Sequence, residues 1–284
     1  MLAGWVSYTG TLLATALIIA LRRRTRESGR LLRTHGQWWW FAIGLCGIPI
    51  VLAMATGIPL VGVAIASVCA VAGQTVAGLT LGARGVGGPE AIRLSRRRLL
   101  AGLVALVGLG IAVLGSSGGE ISVGQGVAVG LALFVAGAVL CIQQAGNGRV
   151  VAVTGDPVLA GFASATGGTL GITVILGVAA LSGGLTGAAL PADPVLYLGG
   201  PLGAIITIVA AWAVRHLGTF VLTLTVISGQ MLTALLIDLA SAGGLRVSAV
   251  LATIAVAGSA ALVVERRREA VVGTEVDPVV GTPS

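Results

Sequence analysis

The chain has 284 residues, of which 56% are hydrophobic and 10% charged, and its mean hydropathy is +1.04. Soluble domains carry charge on about a quarter of their residues, so a water-soluble globule is excluded. The net charge of +7 comes with 17 basic residues, every one an arginine, and the absence of lysine excludes a Walker A loop and Schiff-base chemistry.

Taken in chain order, nine apolar stretches are long enough to span a bilayer, which needs about 20 residues each. They fall roughly at residues 2–21, 38–56, 60–81, 99–116, 123–143, 158–181, 195–213, 217–238 and 247–264. No positive residue precedes the first stretch and Arg22, Arg23 and Arg24 follow it at once. That order is the reverse of a secretory signal and predicts a first spanning helix that starts outside. The second and third stretches meet at Gly57-Ile58-Pro59, and the seventh and eighth at Arg215-His216. Each of these pairs is predicted to be a tight helical hairpin. Trp38, Trp39 and Trp40 open the second stretch, where an interfacial aromatic belt belongs. Cys46, Cys69 and Cys141 lie singly in apolar runs and read as packing residues. The polar stretch after Glu265 reads as a disordered cytoplasmic tail.

The arginines choose the orientation. If the loop holding Arg26 and Arg30 is cytoplasmic, alternation of nine spans puts all arginines but Arg246 on the cytoplasmic side, sixteen of seventeen. The expected orientation is therefore N-terminus outside and C-terminus inside. Arginines gathered at the ends of apolar runs record topology rather than a nucleic-acid surface, so no nucleic-acid partner is expected.

The sequence also repeats itself. Leu2-Ala3-Gly4-Trp5-Val6-Ser7-Tyr8-Thr9-Gly10 returns as Leu159-Ala160-Gly161-Phe162-Ala163-Ser164-Ala165-Thr166-Gly167. At a spacing one residue shorter, Gly44 and Gly47 answer to Gly200 and Gly203, Gly62 to Gly218, and Gly73-Gln74 to Gly229-Gln230. Equivalent helices lie five spans apart, and an odd interval makes them antiparallel. The fold class expected is an all-α polytopic membrane protein of about nine transmembrane helices in two inverted repeats, four plus five. The first repeat covers residues 1–116, the second 117–268, and the tail 269–284. Inverted repeats of this kind build many secondary transporters.

Candidate functional residues are few. No ionisable group falls near a predicted midplane; Asp238 closes the eighth span. Gln74 and Gln230 sit about two-thirds along their spans and are related by the repeat, and a buried amide needs partners. They either line a substrate path or join neighbouring helices. Gln143, Gln144, Asn147 and Arg149 end the fifth span as predicted. Gly73, Gly229, Gly199 and Gly203 are expected at close helix contacts. No catalytic triad, metal-ligand spacing or cofactor motif is present in the sequence, so no metal, cofactor or enzymatic activity is expected.

Three segments carry a family resemblance: Gly137-Ala-Val-Leu-Cys-Ile-Gln143-Gln-Ala-Gly-Asn147-Gly-Arg149, Gly199-Gly200-Pro-Leu-Gly203, and Gly229-Gln230-Met-Leu-Thr-Ala-Leu-Leu-Ile-Asp238. They resemble the YdcZ family of the drug/metabolite transporter superfamily. In the first half, Gly82 stands where the family pattern carries the acid that Asp238 matches. The resemblance implies an EamA-like transporter bundle in the bacterial inner membrane, exporting small molecules. It also implies ten helices in two five-helix repeats, or a five-helix half that must pair, and Met1 aligns with Val158, so the counterpart of residues 123–143 is expected to be missing from the first repeat. The functional expectation is alternating access for a small neutral or amphipathic substrate, with Gln74, Gln230, Gln143, Asn147 and Asp238 along the path. The partners expected are that substrate and the lipid bilayer, with a homodimer left open. The competing reading is a non-transporting accessory or scaffold subunit of a membrane complex.

Overall fold

The computed structural model describes residues 2–86, 122–183 and 193–240, and scattered positions between 96 and 111, at 190, and between 247 and 254. The described residues are helical, with no strand among them. We number the helices α1 (Leu2–Leu21), α2 (Thr25–His35), α3 (Trp38–Leu45), α4 (Gly47–Val61), α5 (Val63–Ala83), α6 (Val123–Thr154), α7 (Pro157–Leu181) and α8 (Gly199–Ala240). A short 3-10 turn, Pro194–Leu198, leads into α8. Six stretches are long and apolar enough to cross a membrane: α1, α3 with α4, α5, α6, α7 and the first part of α8. Most of the expected spans at 99–116 and 247–264 lies outside the described residues, although Leu99, Leu100, Leu251 and Ile254 are helical.

Local chemistry sets several boundaries. A reciprocal capping box starts α6, Ser122 accepting from the Gln125 amide and Gln125 from the Ser122 amide. Gly155 ends α6 in the left-handed region, at φ 72°. Asp156 then caps α7 through the amides of Val158 and Leu159, and Pro157 takes the first turn. The polar run from Gln143 to Arg149 therefore lies inside α6, which continues to Thr154, and does not end the span as the sequence suggested.

The first hairpin also turns later than expected. Gly57, Ile58 and Pro59 remain helical, and the reversal falls at Gly62, whose φ of 83° a side chain would resist. Helical backbone likewise runs through Arg215 and His216, without the break expected there. The His216 side chain returns to that backbone, and Arg215 ties it to α6. Arg215 Nη1 donates to Val151 O at 3.4 Å, at the carbonyl end of α6, and the His216 ring contacts Trp212 O at 2.8 Å.

Contacts nevertheless show α8 doubling back beyond Leu217. Its first part descends past Gly10 and Gly161 to Ala211, in the cluster with Trp40, Val150 and Val151. Thr219 then donates to Val86 O, Thr223 meets Cys141 and Gly78, and Gln230 reaches Gln74. A straight helix rising about 1.5 Å per residue would carry Thr223 away from Cys141, ten residues above Val151 on α6.

Glycines let the helices cross at backbone contact. A Cβ on Gly10 would sit 2.9 Å from Gly200 Cα, and one on Gly200 would sit 2.5 Å from Gly10 Cα. At the α3–α7 crossing, a Cβ on Gly167 would overlap the Phe41 carbonyl oxygen and one on Gly44 the Ser164 carbonyl oxygen. At the α5–α6 crossing, Gly73 lies against the Phe134 carbonyl and Gly137 against that of Ala70. Gly229 is different: it is exposed, and nothing among the described residues lies within 4 Å of its would-be Cβ.

One comparison on α7 tests this packing. Gly167→Ala forces the α3–α7 crossing apart and should cost about 1–3 kcal/mol. Gly177→Ala, with nothing among the described residues within 4 Å, should be neutral or stabilising by up to about 1 kcal/mol. The thermal unfolding midpoint of purified protein should fall for the first and hold or rise for the second.

Candidate functional site

A cavity of about 290 Å³ opens between α1, α4, α6, α7 and α8. Its walls come from positions that the sequence repeat equates. Ser7 faces it with Ser164, Tyr8 with Ala165, Gly47 with Gly203, Ile50 with Ile206, and Val51 with Thr207. Thr11 and Gln143 complete the lining.

Helix crossings hold these side chains in place. The Thr11 hydroxyl lies 3.0 Å from Gly200 O and 2.9 Å from Ser7 O, which ties α1 to α8 beside the Gly10–Gly200 contact. The Tyr8 ring fills the space left by the missing side chain of Gly168, and its hydroxyl occupies the space beside Gly47. Gln143 Nε2 donates to Ser164 Oγ at 3.2 Å, and a Cβ on Gly47 would come within 3.2 Å of that nitrogen. Gly47 thus leaves room for both the tyrosine hydroxyl and the glutamine amide. Thr207 donates to Gly203 O at 2.8 Å, within its own helix.

None of the twelve lining residues carries a formal charge. The cavity presents hydroxyls and one amide on otherwise apolar walls, and can hold an uncharged molecule by hydrogen bonds and contact area. Among the described residues no group of three His, Cys, Asp or Glu could hold a metal.

The residues singled out from sequence divide between places. Gln143 and Gly203 line the cavity. Gly199 lies at its edge, where a Cβ would be 3.5 Å from Ser7 Oγ. Gln74 and Gln230 lie apart from the lining and meet each other: Gln74 Nε2 donates to Gln230 Oε1 at 3.3 Å. Gln74 is fully buried, and its own Oε1 has no hydrogen-bond partner among the described residues. Asn147 is 3% exposed and not part of the lining, and its Oδ1 also lacks a partner among the described residues. Gly73 makes the α5–α6 crossing described above, whereas Gly229 makes none among the described residues. The side chain of Asp238 lies outside the described residues.

Sequence reasoning did not pick out Ser7, Tyr8, Thr11, Ser164 or Thr207 as site residues. The signal was available, since Ser7 and Ser164 are identical residues inside the repeated opening stretch.

The Gln74–Gln230 contact can be measured by a double-mutant cycle. Gln74→Leu and Gln230→Leu should each destabilise the protein, because each strands a buried amide. The double variant should recover part of the loss, with a coupling near 0.6 kcal/mol and no more than about 1.7. Strict additivity in chemical unfolding would show that the two amides do not interact.

The family model described as "Putative inner membrane exporter, YdcZ" matches residues 1–111 and 128–264. No curated protein and no solved structure matches the chain.

Proposed function

Because the chain belongs to the YdcZ family of multi-pass inner-membrane exporters, we propose that it moves a small neutral or amphipathic molecule by alternating access between two inverted repeats. The cavity is the substrate site in this reading. One observation carries it: five pairs of repeat-equivalent residues, one from each half, face the same space. A pseudo-two-fold axis between inverted halves brings equivalent positions together in this way, and rocking one half against the other exposes the site to each side in turn.

Other contacts support the same symmetry. Gly10 meets Gly200, and their equivalents Gly167 and Gly44 lie together at the α3–α7 crossing. Gln74 meets its own equivalent, Gln230. That amide pair is placed to hold the halves in register and to break or reform as they rock. The orientation that fits the arginines sets the N-terminus outside and the C-terminus in the cytoplasm.

The uncharged lining selects the substrate class. An anion would find no cation there and a cation no carboxylate, and desolvating an unpaired charge costs several kcal/mol. Gln143 and Ser164 are the groups proposed to orient the substrate, with Tyr8 and Thr207 beside them. Asn147 and Asp238 remain proposed path residues beyond the cavity.

Reconstituted vesicles test the proposal. Uptake or counterflow of small uncharged solutes should depend on the protein, and permanently charged analogues of the same size should not be carried. Gln143→Leu and Thr207→Val each remove about one hydrogen bond, so each should lower flux about fivefold. Gln230→Leu should slow flux by unlatching the halves, and unchanged flux would remove that residue from the mechanism. An accessory subunit would show no protein-dependent flux of any solute.

A further inference from the structure

The segment joining α1 to α3 carries six arginines (Arg22, Arg23, Arg24, Arg26, Arg30 and Arg33) against one acid, Glu27. All six are exposed. Glu27 lies 3.7 Å from Arg24, the one ion pair among the described residues. The α2 helix sorts this segment by face. Arg26, Arg30 and Arg33 follow the four- and three-residue steps of one helix stripe. On the opposite side Ser28 is buried, and Leu31 and Leu32 are half-buried. Leu32 packs against the cluster of Trp40, Val150, Val151, Ala160, Ala163 and Ala211. The apolar face of α2 is thus used up by the bundle itself, and the arginine face is left presented outward.

The depth of this stripe is set at both ends. Arg22 directly follows Leu21, the last residue of a membrane-length helix. Trp38, which opens the next such helix, is 80% exposed. Arginine at a helix end and exposed tryptophan both belong at the headgroup level of a bilayer. A row of guanidinium groups at that depth faces phosphates, which accept paired N–H donors from arginine.

We propose that the Arg26–Arg30–Arg33 face of α2 binds the headgroups of anionic phospholipids. Bound lipid there braces the ends of α1 and α3 that enter and leave the segment.

Solubilised full-length protein tests this by its unfolding midpoint under titration with phosphatidylglycerol, phosphatidylcholine or inorganic phosphate. Phosphatidylglycerol should raise the midpoint, and the gain should shrink in high salt. The other two should leave it unchanged. Each Arg→Gln change at positions 26, 30 and 33 should weaken the apparent affinity for phosphatidylglycerol about fivefold, while the midpoint in phosphatidylcholine stays put. If these variants fail to fold, the salt response of the unaltered protein still decides. Equal gains from phosphatidylglycerol and phosphatidylcholine, or a gain indifferent to salt, would overturn the proposal. An equal gain from phosphate would make this a free-anion site and overturn the lipid assignment.

Discussion

Backbone-to-backbone contact at glycine is the constraint on which the rest of this bundle depends. Lipid tails are as apolar as leucine, so helices in a membrane gain little by hiding apolar side chains from their surroundings. They gain by approaching closely, and close approach requires that no side chain intervene. The Gly10–Gly200 contact joins α1 to α8, the Gly44–Gly167 region joins α3 to α7, and Gly73 with Gly137 joins α5 to α6. These crossings fix the spacing of the helices around the cavity. They also hold Thr11, Tyr8, Gln143 and Ser164 near enough to share it.

Much of this was legible in the sequence, for identifiable reasons. Apolar length located the six described spans because a bilayer of fixed thickness imposes a length on anything that crosses it. The repeat marked Gly10, Gly44, Gly167 and Gly200, which lie at close crossings, but it equates Gly73 with Gly229, and only Gly73 meets a neighbouring helix among the described residues. The hairpin turn was misplaced because proline and glycine together look like a break, whereas Pro59 is carried within α4 and only Gly62 adopts a positive φ. The α2 helix was missed because an arginine-rich segment reads as a loop when only apolar runs are counted. Its pattern becomes visible once Arg26, Arg30 and Arg33 are set against Leu31 and Leu32. The length of α6 was underestimated because the amides at Gln143, Gln144 and Asn147 suggested an interface, while the backbone there continues helical to Thr154.

The candidate site was half legible. Gln143 stood out as a polar residue in an apolar run. Ser7, Thr11 and Thr207 did not, because a hydroxyl in a membrane helix is commonly satisfied by its own backbone. Thr11 and Thr207 do reach the carbonyl four residues earlier. Only the fold shows that they also border a shared space. Around the cavity the polar groups are hydroxyls and Gln143, whereas Gln74 and Gln230 pair elsewhere and Gln144 and Asn147 are buried outside the lining. None of these groups carries a formal charge, which keeps the cost of burial low.

The account turns on whether the cavity between the repeat-equivalent walls opens to both sides of the membrane. With Cys46, Cys69 and Cys141 replaced by alanine, a single cysteine at Ser7 or at Ser164 can be challenged with an impermeant thiol reagent from either face of oriented vesicles. The account predicts that each position reacts from both faces, and that occupying the cavity with a transported solute slows both reactions. Reaction from one face alone at both positions would contradict it.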